Sequence, residues 1–172
     1  MSAHPAEPCS EVAPRRVDPS YQGRVFPPGE PFLVGREAMR DFAAAVGATS
    51  PEHYELDAAH EAGYPDLVAT PTYAVVIAQR CEARYIGDPG SGIDFSRVVH
   101  AEEKFLHHRA IVAGDEVIGT VYVDRVREMG GHAMITTRTE LALADRTPIA
   151  TVVSSLVVRG PDGGDDETGG RS

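Results

Sequence analysis

The chain has 172 residues, 42% of them apolar and 24% charged, with a net charge of −10. That length suits one domain with a sizeable core, and the composition is that of an ordinary globular protein. The acidic balance argues against nucleic acid as a main partner, because phosphate binding needs a basic face.

Residues 1–20 are rich in Pro, Ala, Ser and charge and are expected to be a disordered tail. Pro27, Pro28 and Pro31 forbid a central strand before Phe32, leaving a short strand over 32–34. From Arg36 to Val46, Met39, Phe42, Ala43 and Val46 form one apolar stripe, so an amphipathic helix is predicted, with Gly47 as its stop. Asp57 reads as the N-cap of a short helix ending at Gly63. The stretch Thr72 to Ile86 is the long helix. Tyr73 to Ala78 is apolar without a break, which predicts enclosure on most sides, while Arg80, Glu82 and Arg84 are expected to carry the second half into solvent.

After the breaker DPGSG at 88–92 the period changes from 3.6 to 2. Four strands are predicted, over 97–109, 116–128, 132–144 and 147–159, joined by turns as an antiparallel meander. Residues 160–172 are Gly- and Asp-rich and are expected to be a disordered acidic tail. The sheet must bury one face, and the 72–86 helix is the strongly apolar partner available. The fold class is therefore α+β, a single hot-dog domain over 21–159 with an antiparallel sheet wrapped round a long central helix.

Two cysteines, Cys9 and Cys81, make neither a disulfide framework nor a metal pattern, so a reduced, cytoplasmic protein with free thiols is expected, with no metal and no cofactor. There is no apolar signal segment, and no run approaches the ~20 residues of a membrane span.

Three stretches carry a resemblance: GYPDLVATPTY at 63–73, FLHHRAIVAGDEV at 105–117 and VYVDRVREMGGHAMITTRTEL at 121–141. They are similar to the MaoC-like hot-dog dehydratases. More closely, the chain resembles the actinobacterial N-terminal dehydratase-like subunits, which include the A and C subunits of the mycolic-acid (3R)-hydroxyacyl-ACP dehydratase. The resemblance covers about residues 20–159. It implies reversible loss of water from a 3-hydroxyacyl thioester on ACP or CoA, which needs a base, an acid and donors for an enolate-like oxygen. In the family an Asp and a His five residues apart supply the acid and base, and a backbone N–H at the central helix's N-terminus supplies the donor.

Carried over residue by residue, Gly47, Pro51 and His53 match that motif. Ala48 stands where the catalytic Asp belongs, and Ser50 stands for the motif's Asn. Pro71 falls where the donor Gly is expected, and proline has no N–H to give. The resemblance therefore implies a subunit that shapes an acyl tunnel while a catalytic MaoC-like partner supplies the Asp/His pair, in a heterodimer or otherwise a homodimer. Two alternatives stand beside it. One is a self-sufficient dehydratase or thioesterase using His53 with Glu52 or Asp57, and the other is a non-enzymatic acyl-binding partner.

Each candidate also has a plainer reading. His53 can be a bare loop histidine. Thr72 can cap the helix rather than meet a thioester, and Tyr73, Val76 and Ile77 can be core rather than tunnel wall. His107 and His108 fall on opposite faces of a strand; with Arg109 they could touch a phosphopantetheine phosphate or simply be a solvated strand end. Glu102, Glu103 and Lys104 read as a solvated face, and the Ala113–Asp115 turn as structural.

Overall fold

The computed structural model describes residues 16–160. The expected tails over 1–15 and 161–172, and Cys9 with them, lie outside the described residues.

Helix α1 is Arg36–Ala45. It ends as its sequence requires. Gly47 sits at φ 71, and the N–H groups of Gly47 and Ala48 donate back to the carbonyls of Ala44 and Ala43 at 3.1 and 2.9 Å. That pair of bonds satisfies the carbonyls a helix end leaves open. A 3-10 turn, Pro51–His53, follows. Helix α2 is Leu56–Glu61, with Glu55 rather than Asp57 at the N-cap and no side-chain capping bond. Asp57 sits within the first turn, where its charge favours the positive end of the helix.

A second 3-10 turn, Pro71–Tyr73, leads into α3, Ala74–Ile86. Thr72 and Tyr73 thus precede the helix proper. Proline at the first turn position suits this entry, since its missing N–H would be unpaired there anyway.

The strands are β1 (Val25–Phe26), β2 (Phe32–Leu33), β3 (Val98–His107), β4 (Glu116–Met129), β5 (His132–Leu143) and β6 (Pro148–Val158). All pairings within the sheet are antiparallel, in the order β1-β4-β5-β6-β3, with β2 also on β4. The four long strands match the expected segments, but their order is not a simple meander. β3 pairs with β6, from Val98↔Val158 to His107↔Ala150, and not with its sequence neighbour β4.

The reason lies in residues 108–115. Strands sit ~4.8 Å apart, so passing from β3 beyond β6 and β5 to β4 spans ~14 Å. Eight extended residues reach ~26 Å, ample for that crossing. The link also carries Ile111 and Val112, both buried, which a hairpin tip would expose. It is bound instead to the segment before α3: Ala69 N–H donates to Ile111 O at 2.8 Å, and Ala113 N–H to Leu67 O at 2.9 Å. Asp115 locks the corner by accepting from Val112 N–H at 2.9 Å and from Arg109 at 2.6 Å.

The sheet buries alternate residues against α3, as a half-solvated antiparallel sheet should. One core cluster packs Tyr73, Ala74, Ile77 and Ala78 against Val117, Leu141, Ile149 and Val152. A second gathers Tyr85 with Val123, Ile135 and Leu156, and includes Val17 and Tyr21. Val17 belongs to the stretch expected as tail. Asp18 N–H bonds Ser91 O at 2.8 Å, which ties this segment to the loop after α3. Helix and sheet approach closely at Gly119, where an added Cβ would lie 2.4 Å from Cys81 Sγ.

Glu82 departs from expectation. It does not carry α3 into solvent; it is buried, 2% exposed. Position 82 lies on the helix face that meets the sheet, and three inward hydroxyls make the burial tolerable. Thr137, Ser154 and Thr139 place their hydroxyl oxygens 2.7, 2.9 and 3.3 Å from Glu82 Oε1.

Candidate functional site

His53 has an orienting partner that the sequence does not name. Its Nδ1 lies 2.8 Å from the carbonyl oxygen of Val68. A carbonyl only accepts, so Nδ1 carries the proton and Nε2 is left as the basic nitrogen. The 3-10 turn fixes the backbone here, and Val68 N–H returns a bond to Glu52 O at 3.2 Å. The loop and the segment before α3 are thus joined by two bonds, both through the Val68 backbone.

A cavity of about 550 Å³ opens at this point, lined among others by Glu52, His53, Thr70, Pro71, His107 and Arg109. Its size is within the ~300–1,000 Å³ range of small-ligand sites. Of the two carboxylates weighed as partners for His53, Glu52 lines this cavity, whereas Asp57 is exposed and is not part of its wall. Ala48 offers only a methyl group, and its carbonyl is occupied by the Tyr54 hydroxyl at 2.7 Å.

Arg109 reaches the wall but is already committed, donating to Asp115 Oδ1 at 2.6 Å and Ala110 O at 2.7 Å. His107 lines the His53 cavity, while His108 faces another, with its Nε2 3.4 Å from Thr151 Oγ1. The two histidines do point to opposite sides.

The proposed tunnel residues are not gathered on this cavity. Thr72 is exposed. Tyr73 is buried at 1% exposure and meets Phe42 edge-on, with ring centroids 5.4 Å apart; burial pushes its phenol pKa up. Val76 is half-buried against the core. Ile77 lines a separate cavity of about 330 Å³ beneath residues 26–33, together with Arg80 and Cys81. Burial also raises the Cys81 thiol pKa, with the neighbouring Glu82 adding to it.

Sequence reasoning also missed a polar cluster at the other end of α3. Ser154 Oγ lies 2.9 Å from Glu82 Oε1 and 3.0 Å from Glu103 Oε1. His100 Nε2 is 2.5 Å from Glu103 Oε2. Glu103 is therefore drawn inward rather than solvated, unlike exposed Glu102 and Lys104. Burial first of all raises the Glu82 pKa, and the hydroxyl bonds oppose it. Glu82 and His100 line a largely apolar cavity of about 520 Å³ with Ile86, Phe95, Val98 and Leu156. One signal was available: Thr137, Thr139 and Ser154 share the inward parity of their strands, and three inward hydroxyls call for a polar partner.

Among the described residues no group of three or more His, Cys, Asp or Glu side chains is placed to hold a metal ion, and no helix is long and apolar enough to cross a membrane.

The comparisons agree with this architecture. A family model for the FAS1-like dehydratase domain region matches residues 20–152. A UPF0336 protein of Clavibacter michiganensis is 46% identical over 146 residues, covering 85% of this chain and 98% of that protein. Among solved structures, the C-terminally truncated HadBC (3R-hydroxyacyl-ACP dehydratase) complex of Mycobacterium tuberculosis matches with a TM-score of 0.71 and 26% identity. The match covers 80% of this chain and 96% of that one. A MaoC-like dehydratase matches with a TM-score of 0.75 and 29% identity, over 83% of this chain and 43% of the other.

Proposed function

The chain belongs to the FAS1-like dehydratase family, a set of MaoC-like hot-dog proteins, and from that premise we propose that it is one subunit of a (3R)-hydroxyacyl-thioester dehydratase or hydratase. The thioester is carried on ACP or CoA in fatty-acid-type metabolism. A second hot-dog subunit supplies the Asp/His pair, and this chain shapes the acyl site and stabilises the assembly.

The observation that carries the reading is the state of the His53 cavity. It has an oriented base, but Ala48 holds the expected acid's position and Pro71 that of the oxyanion donor. Alanine transfers no proton, and proline donates no hydrogen bond. The HadBC match supports a two-subunit arrangement for proteins of this shape. So does β3, which ends the sheet order and presents exposed Val99 and Leu106, with Phe95 just before it. The strand also carries His100, Glu102, Lys104 and His107, so the surface that calls for cover is the exposed apolar side chains on an open sheet edge, which a second chain can supply.

A second reading has its own support. His53 Nε2 is left basic and Glu52 stands in the same cavity, so the chain could dehydrate or hydrolyse a thioester alone.

The test is to purify the chain alone and co-expressed with a hot-dog dehydratase of the same genome that carries an intact Asp/His pair. Hydration of a trans-2-unsaturated acyl thioester is followed in both. Activity confined to the pair, and abolished by changing the partner's Asp, is the expected result. Full activity in the isolated chain, lost on His53→Ala or Glu52→Gln, overturns it in favour of the second reading.

A further inference from the structure

Thr70 is the residue immediately before the Pro71–Tyr73 turn and occupies its N-cap position. A threonine there ordinarily turns its hydroxyl onto a free N–H of the first turn. This one makes no capping bond. The side chain is buried, 7% exposed, and Oγ1 has no hydrogen-bond partner. A buried hydroxyl left unpaired is costly in a folded protein and calls for an explanation. Thr70 lines the His53 cavity, between Ala69 and Pro71 of the same wall.

We propose that the Thr70 hydroxyl is the hydrogen-bond donor to the carbonyl oxygen of an acyl thioester bound in this cavity, replacing the backbone N–H that Pro71 cannot supply. The inference rests on the acyl-thioester reading above and deepens it: the cavity binds thioester although it lacks the acid needed to turn it over.

Three features fit the role. A thioester carbonyl oxygen is an acceptor without a proton, so it needs a donor, and a threonine hydroxyl has one to give. Thr70 is part of the cavity wall, and turning its hydroxyl onto a ligand breaks no hydrogen bond, since Oγ1 makes none. The N-terminus of the α3 segment carries no side-chain cap on either of its turns, so its partial positive charge remains to favour negative charge on the bound oxygen. Thr72, two residues later, is exposed and does not share that position.

The probe is a saturated, non-reacting acyl-pantetheine thioester with a ¹³C-labelled carbonyl, bound to the full chain. Affinity is measured by calorimetry and the carbonyl stretch by difference infrared spectroscopy. With the wild-type chain the stretch moves to lower frequency. Thr70→Val, nearly the same shape, loses that shift and binds about tenfold more weakly. Thr70→Ser keeps both. Melting temperature separates this from a structural role: with no internal partner to lose, Thr70→Val is at least as stable as wild type. An unchanged carbonyl shift in Thr70→Val overturns the assignment, as does a failure of the thioester to bind the wild-type chain. Either result leaves the paired-subunit activity assay to decide the parent reading separately.

Discussion

Removing the Glu82 carboxylate tests how the centre of the molecule is held together. Glu82 Oε1 is the shared acceptor for Thr137, Ser154 and Thr139. In Glu82→Leu the buried Thr137 and Thr139 hydroxyls lose that acceptor at about 1 kcal/mol each, the low end for an orphaned polar group, while Ser154 keeps Glu103. The expected loss is thus about 2 kcal/mol, which lowers Tm by about 4–8 °C for a domain of this size. Glu82→Gln keeps an acceptor of the same shape and should be far milder.

The gentler variant also tests the proton. Ser154 has one hydroxyl proton but lies within bonding distance of two carboxyl oxygens, on Glu82 and Glu103. That single proton can serve only one of them at a time, so the two carboxyls share a donor. Burial, the leading influence on Glu82, raises its pKa from the usual carboxylate range, and the hydroxyl bonds from Thr137, Ser154 and Thr139 oppose it. The sign follows by linkage. A carboxyl whose pKa is higher folded than unfolded binds more protons in the folded state between the two values. Its stabilising contribution is fully present below pH ~4.5 and is lost as pH rises through the folded pKa. Glu82→Gln has no such group, so its stability should gain on wild type as pH rises. Urea unfolding of both proteins from pH 4.5 to 8 reads this directly. A stability difference that stays flat across that range would refute the raised pKa of Glu82.

Three further substitutions probe the packing. Gly119→Ala pushes a methyl to within 2.4 Å of Cys81 Sγ and should cost about 1–3 kcal/mol; in a Cys81→Ala background the penalty should largely vanish, measured as a double-mutant cycle by chemical denaturation. Asp115→Ala strands Arg109 and the Val112 N–H and should cost about 2–3 kcal/mol, with faster amide exchange at Val112. Gly47→Ala meets no neighbour within 4 Å, so only its φ of 71° is strained; about 1 kcal/mol is expected, with little change in hydrogen exchange beyond the end of α1.

The elements were largely legible because each obeys a local rule. Alternation marked β4, β5 and β6 to within a residue or two, and the stripe from Met39 to Val46 marked α1 with Gly47 as its end. Strand order was not legible in the same way. The Ala113–Asp115 turn reads like a hairpin tip, and its role as the corner of a crossover depends on Leu67 and Ala69, which hydrogen-bond the link from more than forty positions earlier in the chain. Glu82 failed for a related reason. Between Arg80 and Arg84 it looks like part of a charged, solvated face, and its burial depends on three hydroxyls that arrive from β5 and β6.

The candidate site shows the same division at finer grain. The motif match singled out His53, Ala48 and Pro71 as the positions to inspect, because those are properties of residue type. It could not supply the Val68 carbonyl that sets the imidazole's tautomer, since a backbone acceptor leaves no mark on residue identity. It placed the useful threonine at 72, on the assumption that the helix began there. In the folded chain Pro71 opens a 3-10 turn and α3 proper starts at Ala74. That change of entry moves the capping position to Thr70, whose hydroxyl is buried in the cavity wall and leaves the turn uncapped. A shift of two residues in where the helix is entered thus decides which threonine is exposed and which lines the His53 cavity.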